Sequence, residues 1–147
     1  SRQTMADAVL GTRRHHREER DARARAMELL KVFGLDELAD EGATSLPYGS
    51  QRRLEIARAM ATEPKVLLLD EPAAGMNPQE ALELMDLIRW LRDDGKLTVV
   101  LVEHNMKVVM GICETVQVID HGEVIAVGTP EEIQGNPDVI EAYLGGG

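Results

Sequence analysis

Four apolar residues run directly into two carboxylates and a proline in the segment Val66-Leu67-Leu68-Leu69-Asp70-Glu71-Pro72. A short, wholly apolar run is typical of a strand that is buried on both faces of a parallel sheet. A second, largely apolar run, Leu97–Val102, follows after a stretch with helical spacing. Strand, helix and strand at this separation predict a βαβ unit, in which the two strands are parallel. The predicted fold class is therefore α/β.

The stretch between the two runs carries the signals of a single helix. Asn77 supplies an N-cap, Pro78 takes the first helical position, and Glu80 completes a capping box. Gly95 marks the end of this helix. Five apolar residues at helical spacing form its predicted buried face: Ala81, Leu84, Met85, Ile88 and Leu91.

Shorter elements are predicted on the carboxy-terminal side of the βαβ unit. Residues 108–113 continue as a helix, and residues 116–127 form a β-hairpin around the turn Asp120-His121-Gly122. Thr129-Pro130 and Asn136-Pro137 each place a capping side chain before a proline, so each pair starts a short helix.

Two helices are predicted on the amino-terminal side. Residues 1–34 form a mixed-charge helix ended by a glycine, and a second helix begins near Ser50 and ends before Pro64. Because this second helix is entered through Gly49, its amino terminus is a ready anion site. The alternative is that Ser50 is a plain N-cap. The apolar face of the first helix is predicted to carry Ala22, Ala26, Leu29, Leu30 and Phe33.

Length, charge and cysteine content limit the classes of function. A chain of 147 residues has room for one domain, and a formal net charge of −10 opposes binding to a phosphate backbone. The basic run 13–17 interleaves with acidic residues and predicts a solvated helix face. No apolar run approaches the roughly 20 residues of a membrane helix, and the single cysteine, Cys113, is predicted to be a core residue. We therefore expect a chain that is cytosolic, or attached to a membrane only through partners, and that has no nucleic-acid partner.

The residues that follow the two strands carry the chemistry. Parallel sheets bind ligands at the carboxyl ends of their strands, where Asp70, Glu71 and His104 stand. Asp70 suits Mg²⁺, which takes one or two carboxylates together with phosphate oxygens. Glu71 suits a general base that orients water, and His104 can bond an oxygen through a ring nitrogen. The alternative is that the two carboxylates only cap a turn and that His104 begins a helix.

The spacing of these motifs resembles that of ABC-type ATPases. The segment 66–72 is similar to their Walker B strand, and it begins 14 residues after Arg52, as expected if Leu46–Gln51 is their signature turn. Three residues of that turn match the usual Leu-Ser-Gly-Gly-Gln, and Pro47 removes a hydroxyl that would help to hold a γ-phosphate. Residues 74–77 occupy the D-loop, and His104 falls at the switch histidine. The matching residues of the turn are Leu46, Gly49 and Gln51, and the departing ones are Pro47, Tyr48 and Ser50.

Within that family, several segments look like the ATPase subunits of branched-chain amino acid importers. They are the pair Tyr48-Gly49, the loop 73–78, the segment 103–110 and the tail 122–145. The resemblance covers most of residues 26–145 and is weakest over the first 25. It implies that residues 1–49 belong to a helical subdomain, residues 50–127 to the ATPase core and residues 128–147 to the group's carboxy-terminal extension.

The resemblance also implies cofactors, partners and roles. ATP and Mg²⁺ would be the cofactors, with Asp70 as the metal ligand and Glu71 and His104 as the catalytic residues. The partners would be a second ATPase subunit, transmembrane permease subunits and, indirectly, a solute-binding protein, on the inner face of the cell membrane. The nucleotide-binding residues would be Leu46, Tyr48, Gly49, Ser50, Gln51 and Asn77.

A P-loop of the form Gly-x-x-x-x-Gly-Lys-Ser/Thr is not found in the 147 residues, since Leu97 follows the one Gly-Lys pair. We therefore expect a fragment of an ABC ATPase, with a partial P-loop NTPase fold. One alternative is a non-catalytic module that dimerises with an intact ABC ATPase. Another is an ABC ATPase of the DNA-repair kind, which the charge and the lack of heptads disfavour.

The isolated 147-residue chain is expected neither to bind MgATP tightly nor to hydrolyse it. The P-loop supplies most of the positioning and charge stabilisation in phosphoryl transfer. Calorimetric titration of the chain with MgATP tests this expectation, and an affinity in the micromolar range would contradict it.

Overall fold

The computed structural model describes residues 3–144, with side chains from residue 15 to residue 143. The chain divides between Pro64 and Lys65 into two compact units. The predicted divisions at residues 49 and 127 follow function rather than compactness and stay predictions. The helices are α1 (Gln3–Val32), α2 (Tyr48–Met60), α3 (Pro78–Asp93), α4 (Met106–Ile112), α5 (Pro130–Gln134) and α6 (Pro137–Leu144). The strands are β1 (Val66–Asp70), β2 (Thr98–Val102), β3 (Val116–Asp120) and β4 (Glu123–Gly128), and short 3₁₀ turns lie at Asp36–Leu38 and Ala43–Ser45.

The first unit is built on α1 and α2. Helix α1 ends in a left-handed Gly34, whose N–H donates to Lys31 while the N–H of Leu35 donates to Leu30. These two bonds satisfy the last carbonyls of the helix, as in a Schellman motif. The predicted glycine stop is confirmed. The buried apolar residues of this unit are Phe33, Leu35, Leu46, Ile56 and Ala57.

The predicted apolar face of α1 is only partly right. Leu29 and Leu30 are half-buried, whereas Ala22 and Ala26 are exposed. Residues 15–26 of α1 are all exposed. Burying an alanine methyl group removes little apolar area from water, so the two alanines provide little driving force to bury this stretch. His15 and His16 are exposed as well, in agreement with the prediction of a solvated face.

The second unit contains the predicted βαβ arrangement. Strands β1 and β2 are parallel, with Val66 opposite Thr98 and Asp70 opposite Val102. Leu67 and Leu69 of β1 are buried, and α3 packs against the neighbouring strand β2. The opposite face is not covered by the described residues: Leu68 is 72% exposed. The prediction of strands buried on both faces is therefore wrong for this chain, because successive side chains alternate between the faces.

Helix α3 begins and ends at the predicted signals. The Asn77 side chain accepts a hydrogen bond from the Glu80 N–H, and Glu80 returns one to the Asn77 N–H, which confirms the capping box. At the other end a Cβ on Gly95 would lie 2.5 Å from the Leu91 carbonyl oxygen, so no larger residue fits. Lys96 then takes a positive φ of 49° and turns the chain into β2.

Two arginines of α3 hold the end of α4. Arg89 donates to the Gly111 carbonyl through Nε at 3.1 Å and Nη2 at 3.0 Å, and Arg92 donates to the Ile112 carbonyl at 2.6 Å. Cations at a helix carboxyl terminus donate to carbonyls that accept no hydrogen bond within the helix. Cys113, just beyond, is half-buried rather than part of the core, and burial raises the pKa of its thiol.

The hairpin and the two short helices form where they are predicted. Strands β3 and β4 are antiparallel, and the loop residues His121 and Gly122 both have positive φ, as a type I′ turn requires. Helix α5 begins with a capping box between Thr129 and Glu132, and the Asn136 side chain accepts the N–H of Asp138 at α6. A small core of Val118, Ile133 and Val139 joins these elements.

None of the helices described within residues 3–144 combines the length and the apolar character needed to span a bilayer.

Candidate functional site

The carboxyl edge of the parallel sheet brings Glu71 and His104 together. The N–H of Glu71 donates to the Val102 carbonyl at 2.8 Å and so extends the β1–β2 pairing by one residue. Nδ1 of His104 then lies 3.1 Å from Oε1 of Glu71. These residues are 33 apart in sequence, and the parallel register makes them neighbours.

The backbone of Glu71 is strained. Its φ is +43°, a left-handed conformation that costs a residue other than glycine on the order of 1–3 kcal/mol. Such strain collects at functional sites, where the surrounding structure holds it in place. Here the bond to Val102 and the tight turn that follows, with the Ala74 N–H donating to the Glu71 carbonyl, fix the residue.

Asp70 ends β1 with an exposed carboxylate. No group of three or more His, Cys, Asp or Glu residues that could hold a metal ion is found among the described residues. Mg²⁺ characteristically takes one or two protein carboxylates and completes its shell with phosphate oxygens and waters. The exposed carboxylate of Asp70, beside Glu71, fits an ion of this kind.

Asn77 has a defined structural role. Its Oδ1 accepts the Glu80 N–H at 2.9 Å, and its own N–H donates to Glu80 Oε2 at 3.0 Å. The side-chain oxygen is therefore used at the start of α3. A contact between Asn77 and a nucleotide stays a prediction.

The amino terminus of α2 has no side-chain cap. The helix begins at Tyr48, with Pro47 as the N-cap, and the first intrahelical bond runs from the Gln51 N–H to the Pro47 carbonyl at 2.9 Å. The N–H groups of Tyr48, Gly49 and Ser50 therefore have no acceptor within the helix. Ser50 lies inside the first turn and is buried, so the interpretation of Ser50 as a plain N-cap is wrong.

Side chains on both sides of this terminus hold its shape. Nε2 of Gln51 donates to the carbonyl of the buried Leu46 at 2.8 Å and closes the turn. Nε of Arg52 donates to the Tyr48 hydroxyl at 3.0 Å, and the guanidinium also bonds Glu55. The bonds to Tyr48 and then to Glu55 raise the pKa of Arg52 above its ordinary value. The residues Leu46–Gln51 are thus a preformed turn at a helix amino terminus that has no side-chain cap.

The sequence prediction missed Glu103. Its side chain is only 2% exposed, and its Oε1 accepts the N–H groups of His104 at 3.1 Å and Asn105 at 3.3 Å. The signal was the two-residue alternation of β2, which puts Leu101 and residue 103 on one face. Extending that alternation one step past the strand predicts an inward Glu103 and an outward His104.

Glu103 and His104 also line a groove of about 670 Å³ together with residues of β2, α4 and β3. Most of its lining is aliphatic, from Val99, Leu101, Val109, Ile112 and Val118. A nucleotide site needs convergent polar groups. The candidate site is therefore the sheet edge and not this groove.

Glu71 and His104 lie together at the carboxyl edge of a parallel sheet, which is where α/β proteins bind ligands. The sequence model of the ABC transporter family matches residues 2–74, and that of the branched-chain amino acid ATP-binding cassette transporter matches residues 123–147. The chain belongs to the ABC transporter ATP-binding family. The predicted fold class, a partial ABC ATPase fold, is confirmed with it.

Individual relatives place the chain near one group of that family. It is 52% identical over 141 residues to the high-affinity branched-chain amino acid transport ATP-binding protein LivG of Salmonella typhimurium, covering 96% of this chain and 55% of LivG. It is 53% identical over 129 residues to BraF of Pseudomonas aeruginosa, which bears the same description, covering 88% of this chain and 51% of BraF. The match to LivG extends well into residues 1–25, where the resemblance was expected to be weakest.

A solved structure agrees with the fold. MJ1267, an ATP-binding cassette of an ABC transporter in its ADP conformation, has a TM-score of 0.78 and 29% identity to this chain. The match covers 85% of this chain and 50% of MJ1267. The chain thus spans about half the length of the relatives that it matches.

Proposed function

We propose that this chain is part of the ATP-hydrolysing subunit of an ABC importer for branched-chain amino acids. The observation that carries the proposal is the 3.1 Å contact between Glu71 and His104 at the carboxyl edge of the β1–β2 pair. A general base must lie within hydrogen-bonding reach of a group that orients it. The identity to LivG and BraF supports the choice of solute class.

Each residue at the sheet edge has a distinct task in this proposal. Asp70 would hold Mg²⁺, which would supply positive charge beside the phosphate oxygens. His104 bonds Oε1 of Glu71 and fixes the carboxylate, so that Oε2 can face the attacking water. Glu71 orients that water and accepts its proton.

The turn Leu46–Gln51 serves a different nucleotide. We infer that its backbone amides at Tyr48, Gly49 and Ser50 approach the phosphates held by a second ATPase subunit. This pair of subunits would sit on permease subunits at the inner face of the membrane and would receive solute indirectly from a binding protein. The anion preference of an uncapped helix amino terminus supports the contact with phosphate.

A transport assay tests the proposal. The full-length subunit that carries these residues is assembled with its permease in vesicles, and uptake of labelled leucine, isoleucine and valine is measured with and without ATP. We expect ATP-dependent uptake and phosphate release together. Phosphate release without uptake of any of the three would refute the solute assignment, and neither activity would refute the proposal as a whole.

The same assay separates the alternative of a non-catalytic module. If an intact partner performed all the hydrolysis, replacing Glu71 in this subunit would leave phosphate release unchanged. A loss of phosphate release on that replacement would exclude the alternative.

A further inference from the structure

We propose that Glu103 is a positioning residue that sets the reach of His104 to Glu71. This inference rests on the proposed function, and it concerns a side chain to which neither the sequence motifs nor the relatives' names assign a role. Glu103 bonds the backbone N–H groups of His104 and Asn105, so the proposed action runs through the backbone that carries His104.

The first step is the burial of the Glu103 carboxylate. Its side chain is 2% exposed, and Oε2 is buried without a hydrogen-bond partner among the described residues. Removing a carboxylate from water is costly unless hydrogen bonds compensate for the loss. The compensation comes from Oε1, which accepts two successive backbone N–H groups, those of His104 and Asn105. Charge-assisted bonds of this kind are about twice as strong as neutral ones.

The second step is the weak restraint on the His104 ring itself. The ring is 72% exposed and makes one hydrogen bond among the described residues, to Glu71, while Oε1 of Glu103 lies 3.9 Å from its Nδ1, beyond hydrogen-bonding distance. An exposed side chain with a single bond keeps its position only as well as its backbone does. The position of the ring therefore depends on the peptide that Glu103 fixes.

The third step is the anchoring of the rest of this connection. Asn105 accepts the Lys107 N–H at 3.1 Å and starts α4, whose last carbonyls are held by Arg89 and Arg92. The connection from β2 to α4 thus leads into a helix whose carboxyl end is held by α3, and its own start is held by Glu103. The hydrogen bond from the His104 N–H to Glu103 is the restraint on this connection that lies nearest to the His104 ring.

The test compares Glu103→Ala with Glu103→Gln in the full-length subunit within its transporter. Because a 1 Å displacement of a catalytic group can cost about 10²-fold, we expect alanine to lower kcat by about tenfold or more. KM for ATP should stay within about twofold, since the lost effect is on the chemical step. Glutamine retains an oxygen that can accept both N–H groups, so it should restore kcat to within about threefold of the unsubstituted enzyme.

Glu132→Ala is the matched control. Glu132 also gives a carboxylate oxygen to a backbone N–H, that of Thr129 at 2.9 Å, but at the start of α5, where it bonds neither His104 nor Asn105. We expect its kcat to be unchanged. An unchanged kcat in Glu103→Ala would overturn the proposal, and so would a glutamine variant as impaired as alanine, because the effect would then depend on charge rather than on the two bonds.

A second readout does not need turnover. The ¹⁵N resonance of His104 Nδ1 is recorded in the full-length subunit and in Glu71→Ala, which marks the position without the Glu71 bond. Glu103→Ala should move the resonance most of the way to that position, and Glu103→Gln should leave it. No movement in Glu103→Ala overturns the positioning role, whereas an unsubstituted subunit without ATPase activity refutes only the proposed function.

Discussion

Replacing Glu71 by glutamine in the full-length subunit is expected to slow ATP hydrolysis by about two to four orders of magnitude, the scale for loss of a general base. ATP binding should persist, because the amide keeps the size of the side chain and removes only its basicity. In the structure, Nδ1 of His104 lies 3.1 Å from Oε1 of Glu71. The amide oxygen of glutamine can still accept a hydrogen bond from this nitrogen. The expected defect is therefore in the chemical step and not in the fold of the sheet edge.

The measurement is steady-state phosphate release together with nucleotide affinity, with Glu63→Gln as the matched control. Glu63 is also an exposed glutamate with a positive φ, 53°, but it lies in the loop after α2. The control should keep normal turnover. A Glu71→Gln variant that turns over as fast as the control would show that Glu71 has only a structural role.

The βαβ unit could be predicted from sequence because each of its signals is local. The capping box at Asn77 and Glu80 and the stop at Gly95 act within one turn of the helix. The hairpin is similar, since the pair His121 and Gly122 is enough to select its turn. The placement of Glu71 and His104 at one edge followed from topology, because parallel neighbouring strands end at the same edge, whereas the hydrogen bond between the two side chains was not predicted.

Features that depend on what covers a surface could not be predicted. An apolar run such as Leu67–Leu69 shows that both faces of a strand are apolar but not that both are covered, and Leu68 is exposed here. The end of a helix is similar: a serine near it suggests a cap, yet the chain enters α2 two residues earlier and buries Ser50. In both cases the prediction relied on the local preference of a residue type, whereas the outcome depends on which surfaces are covered by other residues.

Gly49→Asp is expected to reduce ATP turnover of the assembled transporter by about 10² or more, comparable to removing a preorganised donor. Gly49 is buried at the second position of α2, among N–H groups that have no side-chain cap. An aspartate there adds a carboxylate that accepts these N–H groups itself and repels a phosphate. The anion site is then filled from within the chain.

The helix should survive this change, since a negative charge in the first turn complements the helix dipole. Gly49→Ala, which adds bulk without charge, and Ser50→Ala, which leaves the backbone amides in place, are the matched variants and should be milder. Far-ultraviolet circular dichroism of all three variants separates loss of the helix from loss of the anion site.

The location of the defect tests the assignment of this turn to the partner subunit's nucleotide. In the isolated full-length subunit, Gly49→Asp should leave ATP affinity unchanged, because the turn would not contact the nucleotide bound by its own subunit. In the assembly, closure of the two ATPases and turnover should fail when the substitution is present in this subunit alone. Equal weakening of ATP binding in the isolated subunit and in the assembly would mean that Tyr48, Gly49 and Ser50 do not act across the interface, and the head-to-tail arrangement would be wrong.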